Sequence, residues 1–341
     1  MKDTPELRPG GAASAAPEAP AKRPEQALRA VGRRRPSGRR VALTRRARVR
    51  RFFVEEAKAV QTPETLKAKK DRGEKIVMLT AYDAPSARLA EAAGVDLLLV
   101  GDSLGMVVLG FSSTVSVTLE MMVHHTQAVR RGAPETFTVA DLPFLWAHEA
   151  PEAALRAAGR LIQEGGAHAV KLEGGADVAP LVRRLVAAGI PVMGHLGLLP
   201  QTVLVTGGYR VQGKSAAEAE RIVADAKALV EAGAFSLVVE AVPESVGRSV
   251  ARAVPVPVIG IGAGRFVDGQ VLVYHDLLGY GAGRAPRFVK RYADLDAVIV
   301  GAIRAYADDV RSGRFPEAAH AYLPVEAVPG EAAGPGSDAG A

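Results

Sequence analysis

Short apolar runs alternate with amphipathic stretches of helical length along most of this chain. Eight runs are predicted to be strands, and most are continuously apolar, as expected of strands covered on both faces. Their bounds are 76–80, 97–100, 137–140, 169–172, 191–194, 236–239, 256–261 and 271–276. The helical patterns between them cover residues 84–94, 119–132, 151–166, 177–189, 215–233 and 244–253. Eight strands with intervening helices predict an α/β fold, specifically a (β/α)8 TIM barrel.

Titratable side chains stand at the carboxyl ends of five consecutive predicted strands. An open doubly wound sheet, which periodicity alone does not exclude, gathers its site between a few strands at a switch point. In a closed ring, all carboxyl ends meet at one mouth. Five consecutive polar strand ends therefore favour the barrel and predict an active site at its mouth. The residues are Asp102, Asp141, Lys171, Glu173, His195 and Glu240.

Composition narrows the chemistry. Hydrophobic residues make up 48% and charged residues 23% of the 341 residues, as in ordinary globular proteins, and no apolar run is long enough for a membrane span. The chain has no cysteine, which excludes disulfides, thiolate catalysis and cysteine-ligated metal clusters. No secretory apolar segment is found near the first residue. We therefore expect a cytoplasmic protein with no membrane partner.

The net charge of +6 originates in the amino-terminal segment. Residues 1–55 are rich in Ala, Pro and Arg and predict a disordered basic extension. We expect the catalytic barrel over residues 56–324 and a disordered Gly/Ala/Pro-rich tail over residues 325–341. The extension has three possible roles: a solvated arm, an arm that binds nucleic acid, or a transit peptide. The acidic balance of the rest of the chain disfavours the second role, and acidic residues within the extension disfavour the third.

Asp102 and Asp141 suggest a metal site. Each follows an apolar strand, so its carboxylate would be partly buried, and two such carboxylates close together would repel each other. A divalent cation relieves this conflict, and Mg²⁺ typically takes one or two protein carboxylates together with water and substrate oxygens. The alternative is that each aspartate caps the helix or loop that follows it.

The other strand-end residues each have two interpretations. Lys171 and Glu173 lie two positions apart and face the same side of their strand, either in the site or as a structural ion pair. His195 is either a structural histidine or part of the site. Glu240 is a candidate general acid or base.

Ten short strings follow one another in order between about residues 62 and 322. They are TAYDAPSA, LVGDSLGMVVLG, TVSVTLEMM, RRGAP, ADLPF, VKLEGG, MGHLGLLPQ, GGYRVQGK, VEAVP and VIGIGAG. Together they resemble the ketopantoate hydroxymethyltransferase family. This resemblance implies a barrel of the phosphoenolpyruvate/pyruvate type that is assembled as a homodecamer. It also implies Mg²⁺ and the transfer of a hydroxymethyl group from 5,10-methylenetetrahydrofolate to 3-methyl-2-oxobutanoate in pantothenate biosynthesis.

The resemblance also implies roles for individual residues. An alternative on the same barrel is another Mg²⁺-dependent, enolate-forming lyase or mutase, which would need no folate. Carried over by motif, the implied metal carboxylates are Asp102, Asp141 and Glu173, the implied oxoacid-binding residues are Asp102, Ser103, Asp141, Lys171 and His195, and the implied proton acceptor is Glu240.

Overall fold

The computed structural model describes residues 60–281, 283 and 285–322. The predicted disordered segments, 1–55 and 325–341, fall outside the described residues. The strands are β1 (Ile76–Thr80), β2 (Leu97–Val100), β3 (Phe137–Asp141), β4 (Ala169–Glu173), β5 (Val192–Gly197), β6 (Ser236–Glu240), β7 (Val258–Ile261) and β8 (Gly269–Leu272). Each strand pairs in parallel with the next, and β8 pairs with β1 to close the ring. The structure confirms the predicted barrel.

Helices connect the strands and cover the outside of the barrel. All six predicted helices are present. The first and last α-helices below and three short ones, α3, α7 and α10, are absent from the prediction. In the described part of the chain none is both long and apolar enough to cross a bilayer. The helices are α1 (Pro63–Asp71), α2 (Ala84–Ala92), α3 (Leu104–Val107), α4 (Leu119–Gly132), α5 (Pro151–Gln163), α6 (Ala179–Ala187), α7 (Val203–Thr206), α8 (Ala216–Glu231), α9 (Glu244–Ala253), α10 (Tyr274–Leu278) and α11 (Leu295–Arg311), with 3₁₀ turns at Thr114–Ser116, Trp146–His148, Pro200–Thr202 and Ala318–His320.

Local signals explain where several helices begin. The Thr62 hydroxyl accepts the backbone N–H of Thr65 at the start of α1, and Pro63 occupies the first turn, where its missing N–H has no cost. Ser215 and Glu218 form a reciprocal capping box at the start of α8. Leu66 is the buried residue of α1, so a helical stripe is hard to detect there from the sequence.

The predicted eighth strand, residues 271–276, is wrong beyond Leu272. Gly269 and the residues after it form β8, and the chain then turns into α10. Gly269 fits because a Cβ there would come within 2.4 Å of the Ile76 carbonyl oxygen on β1. The backbone N–H of Tyr274 donates to the Thr80 hydroxyl at the end of β1 (2.8 Å), which holds the start of α10 over the mouth of the barrel.

Candidate active site

The alternation of side chains along each strand brings the polar residues to one mouth. Alternate residues of a barrel strand point into the ring. In β4, Ala169 belongs to the interior apolar cluster, whereas Val170 and Leu172 pack outward against helices. Lys171 and Glu173 follow the inward parity of Ala169, and each is 4% exposed. By the same parity, three other side chains follow inward apolar residues on their strands: Asp141, His195 and Glu240.

All seven residues predicted from the sequence line one cavity of ≈ 550 Å³ at the carboxyl ends of the strands. This volume is typical of a site for small molecules. The structure therefore brings the predicted residues together, although their individual roles stay predictions. They are Asp102, Ser103, Asp141, Lys171, Glu173, His195 and Glu240.

Asp102 and Asp141 are neighbours in this cavity. The backbone N–H of Asp102 donates to Asp141 Oδ2 (3.0 Å), and the two residues are 4% and 3% exposed. Lys171 Nζ lies 3.0 Å from Asp141 Oδ1, an ion pair whose angle falls outside hydrogen-bond geometry. Gly101 keeps this turn compact, because a Cβ there would lie 2.8 Å from Ser103 Oγ.

His195 lies between two carboxylates. Its Nδ1 is 3.4 Å from Glu173 Oε1, and its Nε2 is 3.2 Å from Glu240 Oε2. Lys171 Nζ is 3.2 Å from the same Nδ1 and can donate to it only when the ring is neutral. Burial and the Lys171 charge lower the pKa of His195, but the two glutamates outweigh them and raise it to about 9. The ring is a close neighbour of both glutamates, although its Nε2 forms no hydrogen bond with any described residue.

The backbone around Glu240 is constrained. Ala241 directly after it has φ 46°, a left-handed conformation that costs a non-glycine residue about 1 kcal/mol. On the neighbouring strand, Gly197 has φ +91°, and a Cβ there would lie 2.3 Å from the Glu240 carbonyl oxygen. A glycine on β5 thus allows β6 to place Glu240 at the mouth.

Gln201 is a site residue that the sequence pattern does not predict. It belongs to the 3₁₀ turn after β5 and is 8% exposed. Its side-chain amide donates to Asp102 Oδ2 (2.8 Å) and to the Leu142 carbonyl (3.0 Å), and its backbone N–H donates to Glu173 Oε2 (3.0 Å). One residue therefore fixes two of the three predicted metal carboxylates. No local sequence signal identifies it, because the contact depends on the path of a loop.

Tyr82 supports Ser103 from behind the site. Its hydroxyl lies 2.8 Å from Ser103 Oγ, and the residue is 1% exposed. Burial raises the pKa of Tyr82, so the phenol stays protonated and serves as a neutral hydrogen-bond partner. Ser103 is in this way held at the edge of the cavity next to Asp102.

The site carries an excess of buried negative charge. Burial raises the pKa of Asp102 well above its usual value, and the charges of Asp141 and Glu173 raise it further. Burial also raises the pKa of Asp141 against the opposing effect of Lys171. Burial alone would lower the pKa of Lys171, yet the surrounding carboxylates raise it. The arrangement favours an added cation, since like charges at short range disfavour each other's ionised forms.

The donor set fits a hard divalent ion, although the described residues contain no ready-made group of three or more Asp, Glu or His side chains arranged to hold a metal. Asp141 Oδ1 and Glu173 Oε1 are buried and accept no hydrogen bond from any described residue. Asp102 uses Oδ2 for Gln201, which leaves Oδ1 available. Oxygen ligands from one or two carboxylates, completed by water or substrate, are what Mg²⁺ prefers.

A closed parallel barrel with buried acid, base and cationic groups at the carboxyl ends of its strands defines a β/α-barrel enzyme. The sequence profile described as ketopantoate hydroxymethyltransferase matches residues 60–318. The chain therefore belongs to the ketopantoate hydroxymethyltransferase family, as its ten strings predict.

Two relatives illustrate the similarity. A 3-methyl-2-oxobutanoate hydroxymethyltransferase from Moorella thermoacetica is 60% identical over 257 residues, which cover 75% of this chain and 96% of the relative. The enzyme with the same name from Shouchella clausii is 57% identical over 263 residues, which cover 77% of this chain and 94% of the relative.

Solved structures with low sequence identity share the fold. Phosphonopyruvate hydrolase in complex with oxalate and Mg²⁺ aligns with a TM-score of 0.51 at 15% identity, over 76% of this chain and 92% of that one. A 2,3-dimethylmalate lyase of the PEP mutase/isocitrate lyase superfamily aligns with a TM-score of 0.50 at 20% identity, over 78% and 91%. These neighbours support the closed β/α-barrel fold.

Proposed function

We propose that this protein transfers a hydroxymethyl group from 5,10-methylenetetrahydrofolate to 3-methyl-2-oxobutanoate, giving ketopantoate (2-dehydropantoate) for pantothenate and coenzyme A biosynthesis. The observation that carries the proposal is the cavity in which Glu240, 3.2 Å from His195 Nε2, shares one mouth with Lys171 and the aspartate pair. Membership of the family and relatives at up to 60% identity support the same reaction.

Asp102, Asp141 and Glu173 would hold Mg²⁺, because Asp141 Oδ1 and Glu173 Oε1 accept no hydrogen bond from any described residue. When bound, the ion supplies Lewis-acid stabilisation of the negative charge that develops on the keto oxygen of the substrate. The residues that bind the ion thereby also define where the keto acid lies.

Lys171 and Ser103 would bind the carboxylate end of the oxoacid. Lys171 is a buried cation, and Ser103 Oγ is oriented by the Tyr82 hydroxyl. Charge-assisted hydrogen bonds of this kind are short and strong, so they fix the substrate in one orientation. That orientation directs the C3 carbon of the oxoacid toward β6.

Glu240 would remove the C3 proton. Its Oε2 lies 3.2 Å from His195 Nε2, and its side chain, 16% exposed, lines the cavity. Deprotonation at C3 gives an enolate, whose C3 attacks the one-carbon unit of the folate and forms the new C–C bond. Opening of the methylene bridge breaks its bond to N10, and the C3 proton taken up by Glu240 is returned to that nitrogen. Water then cleaves the remaining bond between the one-carbon unit and N5, giving its hydroxyl to the one-carbon unit and its proton to N5.

A folate-free half-reaction tests this assignment. The wild-type protein with Mg²⁺ should exchange the C3 hydrogen of 3-methyl-2-oxobutanoate for deuterium, and Glu240→Gln should reduce the exchange rate by a factor of about 100 or more because a positioned base is lost. Proton NMR of the oxoacid in D₂O measures the rate, and binding of Mg²⁺ by both proteins provides the control. Undiminished exchange in Glu240→Gln would refute the base assignment.

The requirement for folate separates the proposal from its alternative. A lyase or mutase on the same barrel would turn over its own substrate without methylenetetrahydrofolate. The proposed transferase should form product from 3-methyl-2-oxobutanoate only when the folate is present. Product formation without the folate would favour the alternative.

We also propose a homo-oligomer, with the decamer implied by the family as its form. Helix α11 supports this, because none of its side chains is buried and Val298, Ile303 and Tyr306 are 64%, 60% and 57% exposed. Apolar side chains grouped in this way are typical of surfaces that pack against another chain.

A further inference from the structure

The catalytic cavity has a second wall that the residues assigned above do not occupy. Asp276 of α10 lines this wall together with Val271, Val273, Pro286 and Phe288. In the eight-stranded ring, β8 lies opposite β4, which carries Lys171 and Glu173. The two ends of the cavity therefore differ: one end is crowded with charges, and the other presents a single carboxylate among apolar side chains.

Asp276 has no binding partner among the residues that the structure describes, because it takes part in none of their hydrogen bonds or ion pairs. Burial raises the pKa of Asp276, and the charge of Arg291 counters this only in part. Arg291 itself donates to the Gly283 carbonyl (2.8 Å). A half-buried carboxylate without a donor is costly, so this position favours a ligand that brings N–H groups.

One aromatic ring, that of Phe288, lines this end of the cavity, and a second ring, that of Tyr209, lines the cavity on the side of Met106. Phe288 packs onto the backbone of Gly262, where a Cβ would lie 2.7 Å from the ring atom Cδ1. Tyr209, in the loop after α7, also lines the cavity and places its hydroxyl 3.3 Å from Met106 Sδ. A flat ring system entering the cavity would therefore meet aromatic and aliphatic surfaces before it reaches Asp276.

We propose that Asp276 binds the 2-amino-4-oxopyrimidine edge of the reduced pterin. The 2-amino group and N3–H stand side by side on that edge, so they can donate to the two oxygens of one carboxylate. The ring of Phe288 contacts the pterin, and the one-carbon unit of the folate points toward Glu240. This inference rests on the proposed function, from which it takes the folate.

A ligand analogue tests the pairing without altering the protein. The wild-type protein, loaded with Mg²⁺ and 3-methyl-2-oxobutanoate, is titrated with tetrahydrofolate and with its 2-desamino analogue by calorimetry. The analogue lacks one of the two donors, so we expect it to bind roughly tenfold or more weakly. Equal affinities would overturn the proposal.

A variant then assigns the effect to Asp276. Asp276→Asn should bind tetrahydrofolate at least roughly tenfold more weakly and should no longer distinguish it from the analogue. The matched control Asp294→Asn makes the same change at the start of α11, where the side chain caps no N–H, and should bind both ligands as the wild type does. Unchanged tetrahydrofolate affinity in Asp276→Asn would overturn the assignment.

Two measurements keep the outcomes separate. Melting temperatures check that Asp276→Asn is folded, and Asp276→Glu, which retains the carboxylate, should keep part of the discrimination against the analogue. The folate-free deuterium exchange reports on the proposed function alone. If wild-type exchange fails, the proposed function fails; if it occurs while the pterin measurements show no dependence on Asp276, only the present inference fails.

Discussion

Gln201 restrains two carboxylates that repel each other and that come from different strands. Its amide donates to Asp102, its backbone N–H donates to Glu173, and all three residues are buried. The sequence predicts the carboxylates because each ends an apolar strand. It cannot predict Gln201, because residues 99 positions apart meet only through the loop that follows β5. Local sequence patterns predict the residues at the ends of strands. The groups that orient those side chains come from distant parts of the chain and depend on the tertiary structure.

We expect Gln201→Leu to weaken Mg²⁺ binding by about 10- to 100-fold, the usual cost of removing a group that orients a metal ligand. Isothermal titration calorimetry with Mg²⁺ measures the change, and circular dichroism confirms folding. Gln212→Leu is the matched control, because that side chain donates only to the Arg210 carbonyl. Wild-type affinity in Gln201→Leu would show that Asp102 needs no such restraint.

Asp276 is a second residue of the cavity that the sequence pattern does not identify, and the reason differs from that for Gln201. The apolar run 271–276 predicts a strand that continues to the aspartate, but the chain leaves the sheet after Leu272 and forms α10. The Thr80 hydroxyl accepts the N–H of Tyr274, and this contact competes with further strand pairing. Periodicity therefore identifies the eighth strand but places its end, and the polar residue beyond it, incorrectly.

At the scale of elements, His168, which directly precedes β4, links the start of that strand to β3. Its backbone N–H donates to the Thr138 carbonyl (2.8 Å), and its ring Nδ1 accepts the Thr138 backbone N–H (2.9 Å). The ring also stacks on Phe137 with centroids 5.1 Å apart. Burial, aided by the charge of Arg130, lowers the pKa of His168 to about 4. The neutral ring therefore takes part in the hydrogen bonding between β3 and the residue that precedes β4.

This contact predicts a pH dependence of folding. The pKa of His168 is lower in the folded state (about 4) than the ordinary value of 6.5 expected after unfolding, so the unfolded chain binds the proton more readily. The stabilisation is complete above pH 6.5 and is lost as the pH falls toward 4. Allowing for solvent screening, we expect roughly 1–2 kcal/mol. Urea unfolding at pH 7 and pH 4.5 measures the loss.

His168→Asn is the matched variant for that measurement. Its amide oxygen can still accept the Thr138 N–H but does not titrate. The free energy of unfolding of this variant should fall less between pH 7 and pH 4.5 than that of the wild-type protein. Parallel losses in the two proteins would show that other groups cause the acid sensitivity.

At the scale of the whole molecule, the packing of a single barrel does not explain the exposed apolar side chains of α11. Its apolar side chains recur at helical spacing, yet none is buried, while the interior and the helix layer of the barrel are well packed. Ile303 and Tyr306 lie on one face of α11, whereas Arg304 points about 100° away from Ile303 and about 160° away from Tyr306 around the helix axis. An exposed apolar face of this kind would be removed from water if two or more copies of the chain packed together.

We therefore expect Ile303→Glu to lower the oligomeric state, because the variant would bury an unpaired carboxylate in the contact between chains. Light scattering coupled to size-exclusion chromatography measures the mass of the particle. Arg304→Glu adds an acidic group outside the face formed by Ile303 and Tyr306 and should leave the mass unchanged. A wild-type monomer, or an Ile303→Glu protein with wild-type mass, would show that α11 does not mediate assembly. If dissociation also lowers the melting temperature, the contact contributes to the stability of the barrel, because binding of a partner to the folded state alone stabilises that state.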